Sequence, residues 1–264
     1  MSVADTRSGE AVTAIIPTWG DPAPLARALA SVAAQTLPCA RIVVVDDASP
    51  APERERLRAL IAGHPLAERI TLVERPQNGG AADARNAGWE VARTPLIAFL
   101  DADDAWHPEK LARQVPLMRG GAAMSCHGYA PDREMETTDT GLRQIGFRDF
   151  LWRNRCATPS VMVRRDAPAR FPAGRRRSED YHLWLWLSKR GPVPRLNAEL
   201  ARGFKPAWGA GGLSGDLDAM LRGQLDTYSA IVAEGLAPRA ALPVLQAWSR
   251  LRHLGRRILR RGRG

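Results

Sequence analysis

The chain has 264 residues, enough for one large domain or two abutting subdomains around a sizeable core. Its formal net charge of +10 and pI near 10.6 admit nucleic acid, anionic lipid or phosphorylated substrates as partners, so the placement of the charge has to decide among them. Three cysteines, Cys39, Cys126 and Cys156, are too few and too scattered for a disulfide framework and lack zinc-site spacing, which predicts a reducing cytoplasm. A short polar start over residues 1–10, and no run approaching the roughly 20 apolar residues of a spanning helix, predict a soluble or surface-bound protein.

Residues 11–17 read as a first strand, 23–35 as a helix after a proline-bearing turn, and 41–45 as a second strand, together a βαβ unit. A helix over 53–62, a strand over 70–74, a helix over 81–92 and a strand over 95–100 continue the alternation. That alternation predicts a mainly parallel sheet covered by helices on both faces. Regularity then weakens: a helix over 108–118, a glycine break at 120–121, a polar stretch over 132–141 and a short apolar strand around 161–163 are followed by an amphipathic helix over 180–189. Segment 205–215, with its glycines, reads as a mobile loop. The end is basic: seven arginines and no acid lie between Arg250 and Arg263, so much of the excess charge belongs to the tail and the core is close to balanced.

Two strands end in carboxylates. Ile42-Val43-Val44-Val45 runs into Asp46-Asp47-Ala48-Ser49, and Leu96-Ile97-Ala98-Phe99-Leu100 runs into Asp101-Ala102-Asp103-Asp104. Ligands of open α/β sheets collect beyond the carboxyl ends of strands, so both clusters are expected at one crevice. Alternation along an extended segment puts Asp101 and Asp103 on the same side, where they can share one hard divalent cation. A polar loop capping the next helix reads the same way, and that alternative stays open. The first turn, Thr18-Trp19-Gly20-Asp21-Pro22, lacks the glycine fingerprint of a dinucleotide site, which argues against nicotinamide cofactors. Asn78-Gly79-Gly80 sets glycines just before a helix carrying Arg85, a fixed positive fork for phosphate or base, although an arginine pairing with a neighbouring acid has the same signature. Asp180, in Ser178-Glu179-Asp180, is either a helix cap or a general base; His182 reads as structural, and Trp184 and Trp186 as packing residues, one of them a candidate to line a sugar site.

Taken in order, Ile15-Ile16-Pro17-Thr18, Val43 to Ser49, Asn78-Gly79-Gly80 with Ala84-Arg85-Asn86, Phe99 to Asp104 and Glu179-Asp180 resemble the inverting family 2 glycosyltransferases of GT-A fold over about residues 11–215. The resemblance implies a nucleotide-sugar donor over the carboxyl edge of an α/β sheet. It casts Pro17, Thr18 and Trp19 as nucleoside contacts, Asp47 as the acid on the base with Asp46 beside it, and Arg85 as a donor-binding arginine. The Asp-x-Asp motif becomes Asp101-Ala102-Asp103, with Asp103 the direct ligand of Mn²⁺ or Mg²⁺ and Asp101 a ribose or water-mediated contact; Asp180 becomes the catalytic base. It divides the chain into a nucleotide-sugar-binding half (1–104), an acceptor-binding half (105–215) and a helical basic tail (216–264). The family commonly has a Tyr-Asn pair where this chain has Trp19-Gly20, so UDP is expected on family grounds rather than from that pair. The acceptor implied is a glycan, a lipid-linked sugar or a small molecule of cell-envelope polysaccharide synthesis.

Rival readings are a sugar-nucleotide-binding protein without turnover and a sugar-phosphate nucleotidyltransferase, but the latter needs a glycine-rich basic loop after the first strand and residues 17–24 have neither quality. Nucleic acid is not expected as a partner, because its basic residues should line a groove with interleaved aromatics, whereas here the richest basic cluster is terminal. In that tail Val244, Trp248, Leu251, Leu254 and Ile258 recur at helical spacing among arginines, which predicts a basic amphipathic helix lying either on the catalytic domain or on the cytoplasmic face of an anionic membrane.

Overall fold

The computed structural model describes residues 10–204 and 216–261, with side chains to residue 257. The expected loop at 205–215 and the side chain of Ile258 lie outside the described residues. The first part alternates as the sequence predicts: β1 (Val12–Thr18), α1 (Ala23–Ala33), β2 (Arg41–Asp46), α2 (Ala51–Ala62), β3 (Ile70–Glu74), α3 (Ala81–Val91) and β4 (Leu96–Phe99). Then come β5 (Asp104–Trp106), α4 (Lys110–Gln114), β6 (Met124–Pro131), β7 (Leu142–Ile145), α5 (Phe147–Trp152), β8 (Met162–Arg164), α6 (Glu179–Ser188), β9 (Val193–Gly203), α7 (Leu217–Ala233) and α8 (Ala241–Arg261).

The strands form one sheet in the order β3-β2-β1-β4-β8-β6-β9-β5, with β7 on β9. Its first four strands are parallel; beyond β4 the sheet is mixed, because β8 runs antiparallel to both β4 and β6 while β9 runs parallel to β6. The strands are apolar on both faces because both faces are covered. Ile42 and Val44 join Leu25, Leu29, Leu57 and Leu111 in one core, whereas Val43 and Val45 point the other way, toward Ala84, Trp89, Leu183 and Trp184. Period-2 alternation thus sorts one β-branched run into two cores.

Chain order β1, β2, β3 proceeds in one direction across the sheet and then returns to place β4 on the far side of β1, so the topological switch lies between β1 and β4. Their ladder ends at Ile15 opposite Phe99. Pro17 has no N–H to extend it, and the two strands part there, which leaves a crevice at the carboxyl edge.

Two sequence expectations are corrected. Cys126 on β6 and Cys156 are joined in a disulfide with Cα atoms 6.2 Å apart, and only Cys39 remains a free, buried thiol. Thirty residues separate the pair in sequence, and the contact is made by folding the 154–160 segment against β6. The expected helix at 108–118 is shorter, since α4 stops at Gln114 and Pro116 sits in a tight 3₁₀ turn over Val115–Met118. The basic tail is helical and not detached: α8 buries Leu245 and Ser249 against the domain. Among the described residues no helix is long and apolar enough to cross a membrane.

Candidate active site

At the end of β2, Asp46 and Asp47 take different roles. Asp46 is fully buried and accepts from Ser49 N (3.0 Å), the Ser49 hydroxyl and Arg54 Nε (3.1 Å), so it braces the turn behind the crevice. Asp47 faces the loop before α3. Its oxygens accept from Gly79 N at 3.1 Å and Gly80 N at 2.7 Å, and Arg75 pairs with it. Gly80 holds φ of +87°, a conformation that favours glycine, and a Cβ on Gly79 would displace the ends of the Arg75 and Asp83 side chains. Pro17 and Thr18 flank this edge, Thr18 O accepting from Asp47 N at 2.9 Å, and Trp19 projects beyond them 62 % exposed. An exposed indole beside a buried acid can stack on a base.

Beyond β4 the backbone turns instead of staying extended: Asp104 N donates to Asp101 O at 3.0 Å. Alternation therefore does not decide where Asp101 and Asp103 point. Arg27 pins the turn by donating to Asp103 O at 3.0 Å, and Ala102 packs on the core beneath. Asp104, the third carboxylate, is buried in β5 and accepts from the Tyr129 hydroxyl, a structural role.

Arg85 ties the site together. Nearly buried on α3, it donates from Nη2 to Asp101 Oδ1 at 2.6 Å and from Nη1 to Glu179 Oε1 at 3.1 Å. One guanidinium fork thus joins the acids after β4 to the Glu-Asp pair that opens α6, 94 residues away from Arg85 in sequence. Neighbouring Asn86 exchanges two hydrogen bonds with the backbone of Phe171 and fixes the approach to α6.

Asp180 follows Ser178, whose left-handed backbone (φ 55°) turns the chain into α6. Its carboxylate serves the first turn of α6 through one oxygen and reaches out of the helix with the other. Asn154 Nδ2 donates to Asp180 Oδ2 at 2.9 Å, and Tyr181 N to Oδ1 at 2.7 Å; Thr158 stands at 3.5 Å. Burial, and next the charge of Glu179, push its carboxyl up to about 6 against the opposing pull of Arg85. A carboxylate poised there can accept a proton near neutral pH. His182 is buried two residues further on and pairs with Glu234 just past the end of α7 at 2.9 Å. Trp184 is buried among Phe99 and Phe171, while Trp186 lies partly buried under Arg190.

The structure adds four residues that the sequence reading missed, namely Arg75, Asn154, Thr158 and Arg27. Arg75 is recognisable only as a basic residue near the glycine loop, and the others carry no local signal.

A mixed sheet with carboxylates at its switch point and a Glu-Asp pair facing them is the GT-A architecture. Residues 13–178 match the family model described as Glycosyl transferase family 2, and the chain belongs to that family. It is 37% identical over 148 residues to the succinoglycan biosynthesis protein ExoW of Rhizobium meliloti, a match covering 50% of this chain and 46% of that one. This chain therefore aligns with less than half of that relative. A glucosyltransferase of Escherichia coli, WfgD, whose name gives UDP-Glc as donor and α-D-GlcNAc-diphosphoundecaprenol as acceptor, is 27% identical over 191 residues (70% of this chain, 73% of that one). The S. aureus TarS 1-349 structure with UDP-GlcNAc superposes with a TM-score of 0.70 at 16% identity, over 93% of this chain and 73% of that one. A Pyrobaculum calidifontis mannosyltransferase with GDP-Man and Mn²⁺ gives 0.62 at 20% identity, over 90% and 68%. These likenesses fix the fold.

Proposed function

We propose that the protein is an inverting glycosyltransferase that moves a sugar from a nucleotide-diphosphate sugar, UDP-linked by preference, to a hydroxyl of a glycan or lipid-linked acceptor. The observation that carries this reading is the Arg85 fork, which sets Asp101 and the Glu179-Asp180 pair at one crevice. The donor nucleoside lies along Pro17, Thr18 and exposed Trp19, with Asp47 and the Gly79-Gly80 amides beside it.

Asp180 takes the proton of the acceptor hydroxyl. That oxygen forms its bond to the anomeric carbon from the face opposite the diphosphate, the carbon–oxygen bond to the diphosphate breaks, and the nucleoside diphosphate leaves with the electron pair. A single displacement inverts the centre and needs no protein nucleophile. Asn154 holds one oxygen of Asp180 and Tyr181 N the other, so the carboxylate is oriented before the acceptor arrives.

Mn²⁺ or Mg²⁺ suits this donor set. Such ions bind through one or two carboxylates plus substrate phosphates, and among the described residues no group of three His, Cys, Asp or Glu forms a cage alone. Asp103, with Asp101, would hold the ion, which supplies charge neutralisation on the departing diphosphate.

The same proposal places the protein on the cytoplasmic face of an anionic membrane. Helix α8 exposes Val244, Trp248, Leu251 and Leu254 along one side, with Arg250 and Arg257 exposed beside them. Apolar side chains flanked by arginines suit the headgroup region of such a bilayer. Calorimetry with a panel of nucleotide sugars, with and without Mn²⁺, tests the donor assignment: metal-dependent binding of a UDP-sugar is expected, and no binding of any member would refute it.

A further inference from the structure

Asp180 looks two ways. On one side Glu179 connects it through Arg85 to the acids after β4. On the other, a cavity of about 160 Å³ opens among α5, α6, α7 and α8, lined by Asp180 and Asn154, by Gln224 of α7, and by Arg153, Arg252 and Arg256. Among the described residues Asp180 is the only acid on that lining, where three guanidinium groups face one carboxylate.

The packing holds these cations in place. Arg252 Nη1 and the Trp248 indole N–H both donate to Trp152 O, at 2.8 and 3.0 Å, which fastens α8 to the end of α5. Thr227 of α7 reaches the Ser178 carbonyl at the mouth of α6, and Gly223 lets α7 approach the backbone of Arg177 closely. Burial, and next the charge of Arg252, lower the Arg256 pKa. Arginines four apart on a helix repel each other, and among the described residues neither Arg153 nor Arg252 makes an ion pair. Such an arrangement suits a multivalent anion, because guanidinium forks match phosphate oxygens in pairs.

We propose that this cavity is the acceptor subsite, and that the acceptor carries a phosphate or diphosphate bound by Arg153, Arg252 and Arg256 while its hydroxyl meets Asp180. The subsite rests on the transferase reading above and adds to it the chemical class of the acceptor. It also makes α7 and α8 part of the site, because a tail beginning at residue 216 supplies two of the three cations.

The test is calorimetric titration of the full chain with sodium pyrophosphate in buffer containing Mn²⁺ in excess and saturating UDP, so that the donor site is filled, with the heat of pyrophosphate mixing into the same buffer subtracted. Saturable one-to-one binding is expected, weakened about tenfold or more in Arg252→Gln/Arg256→Gln and also in Arg153→Gln, with UDP binding unchanged. Arg153 is exposed and its replacement leaves the fold intact, so it remains readable if the double variant is destabilised. No saturable pyrophosphate binding to the wild type, or wild-type binding by folded Arg153→Gln and the double variant, would overturn the proposal. Geranyl diphosphate binding more tightly than pyrophosphate assigns the anion to a lipid-linked acceptor; equal binding assigns it to a soluble phosphorylated one. Failure of UDP alone to bind counts against the donor site and leaves the pyrophosphate titration interpretable.

Discussion

Replacing Asp180 by Asn should make the protein more stable relative to wild type as pH rises. The carboxyl is shifted from an ordinary value of 3.8 to about 6 by burial and by Glu179. Below the ordinary value both folded and unfolded chains hold the proton and the shift has no effect. As pH rises toward 6 the unfolded chain releases it first, so wild type loses stability across that window; above it the loss is complete. At about 1.4 kcal/mol for each pH unit the loss reaches roughly 3 kcal/mol. Asparagine has no proton to lose. It exchanges one hydrogen-bond acceptor for a donor facing Asn154 or Tyr181 N, a pH-independent penalty of about 1 kcal/mol. Urea unfolding of both proteins from about pH 4.5 to 7.5 should therefore show the variant gaining about 2 kcal/mol on wild type with rising pH, since about a third of the loss is already in place at the lower end. A difference that stays flat or moves the other way would refute the burial argument for the base.

Arg85→Lys should lose about 2 to 4 kcal/mol of stability and weaken UDP binding, since one ammonium cannot fork to Asp101 and Glu179 together; unchanged melting and affinity would show the fork to be dispensable. Asp103→Ala should abolish the metal-dependent part of UDP binding while the fold persists, and an unchanged Mn²⁺ effect in calorimetry would remove Asp103 from the metal site. The triple variant Val244→Glu, Leu251→Glu, Leu254→Glu changes only exposed positions of α8, so it should fold yet remain behind when wild type floats with anionic vesicles at low salt. Equal flotation would exclude α8 as the attachment surface.

The amino-terminal half was legible because its physics is local. Ile42 to Val45 and Leu96 to Leu100 are buried on both faces, so they read as unbroken apolar runs, and the carboxylates that end them are conspicuous for that reason. β9 was hidden although its period-2 pattern is present: Leu196, Ala198 and Leu200 form a small apolar cluster and alternate with Arg195, Asn197 and Glu199. β6 buries Ser125 and His127, polar side chains that a hydrophobicity pattern excludes from a core strand. In the site, Asp47, Arg85, Asp101, Asp103 and Asp180 stood out as residue types in a recognisable order. What they touch did not. The hold of Asn154 on Asp180 and the arrival of Arg252 beside it depend on how α5, α7 and α8 pack, and the disulfide between Cys126 and Cys156 depends on the same long-range folding.

The most direct test of the account is nucleoside diphosphate release from the UDP-sugars that bind, with Mn²⁺ and a lipid extract as acceptor source, by wild type and Asp180→Asn. Loss of the base should lower turnover by about 10²-fold or more while UDP affinity stays within about twofold. Turnover by the variant at the wild-type rate would contradict the assignment of Asp180 as the group that takes the acceptor proton.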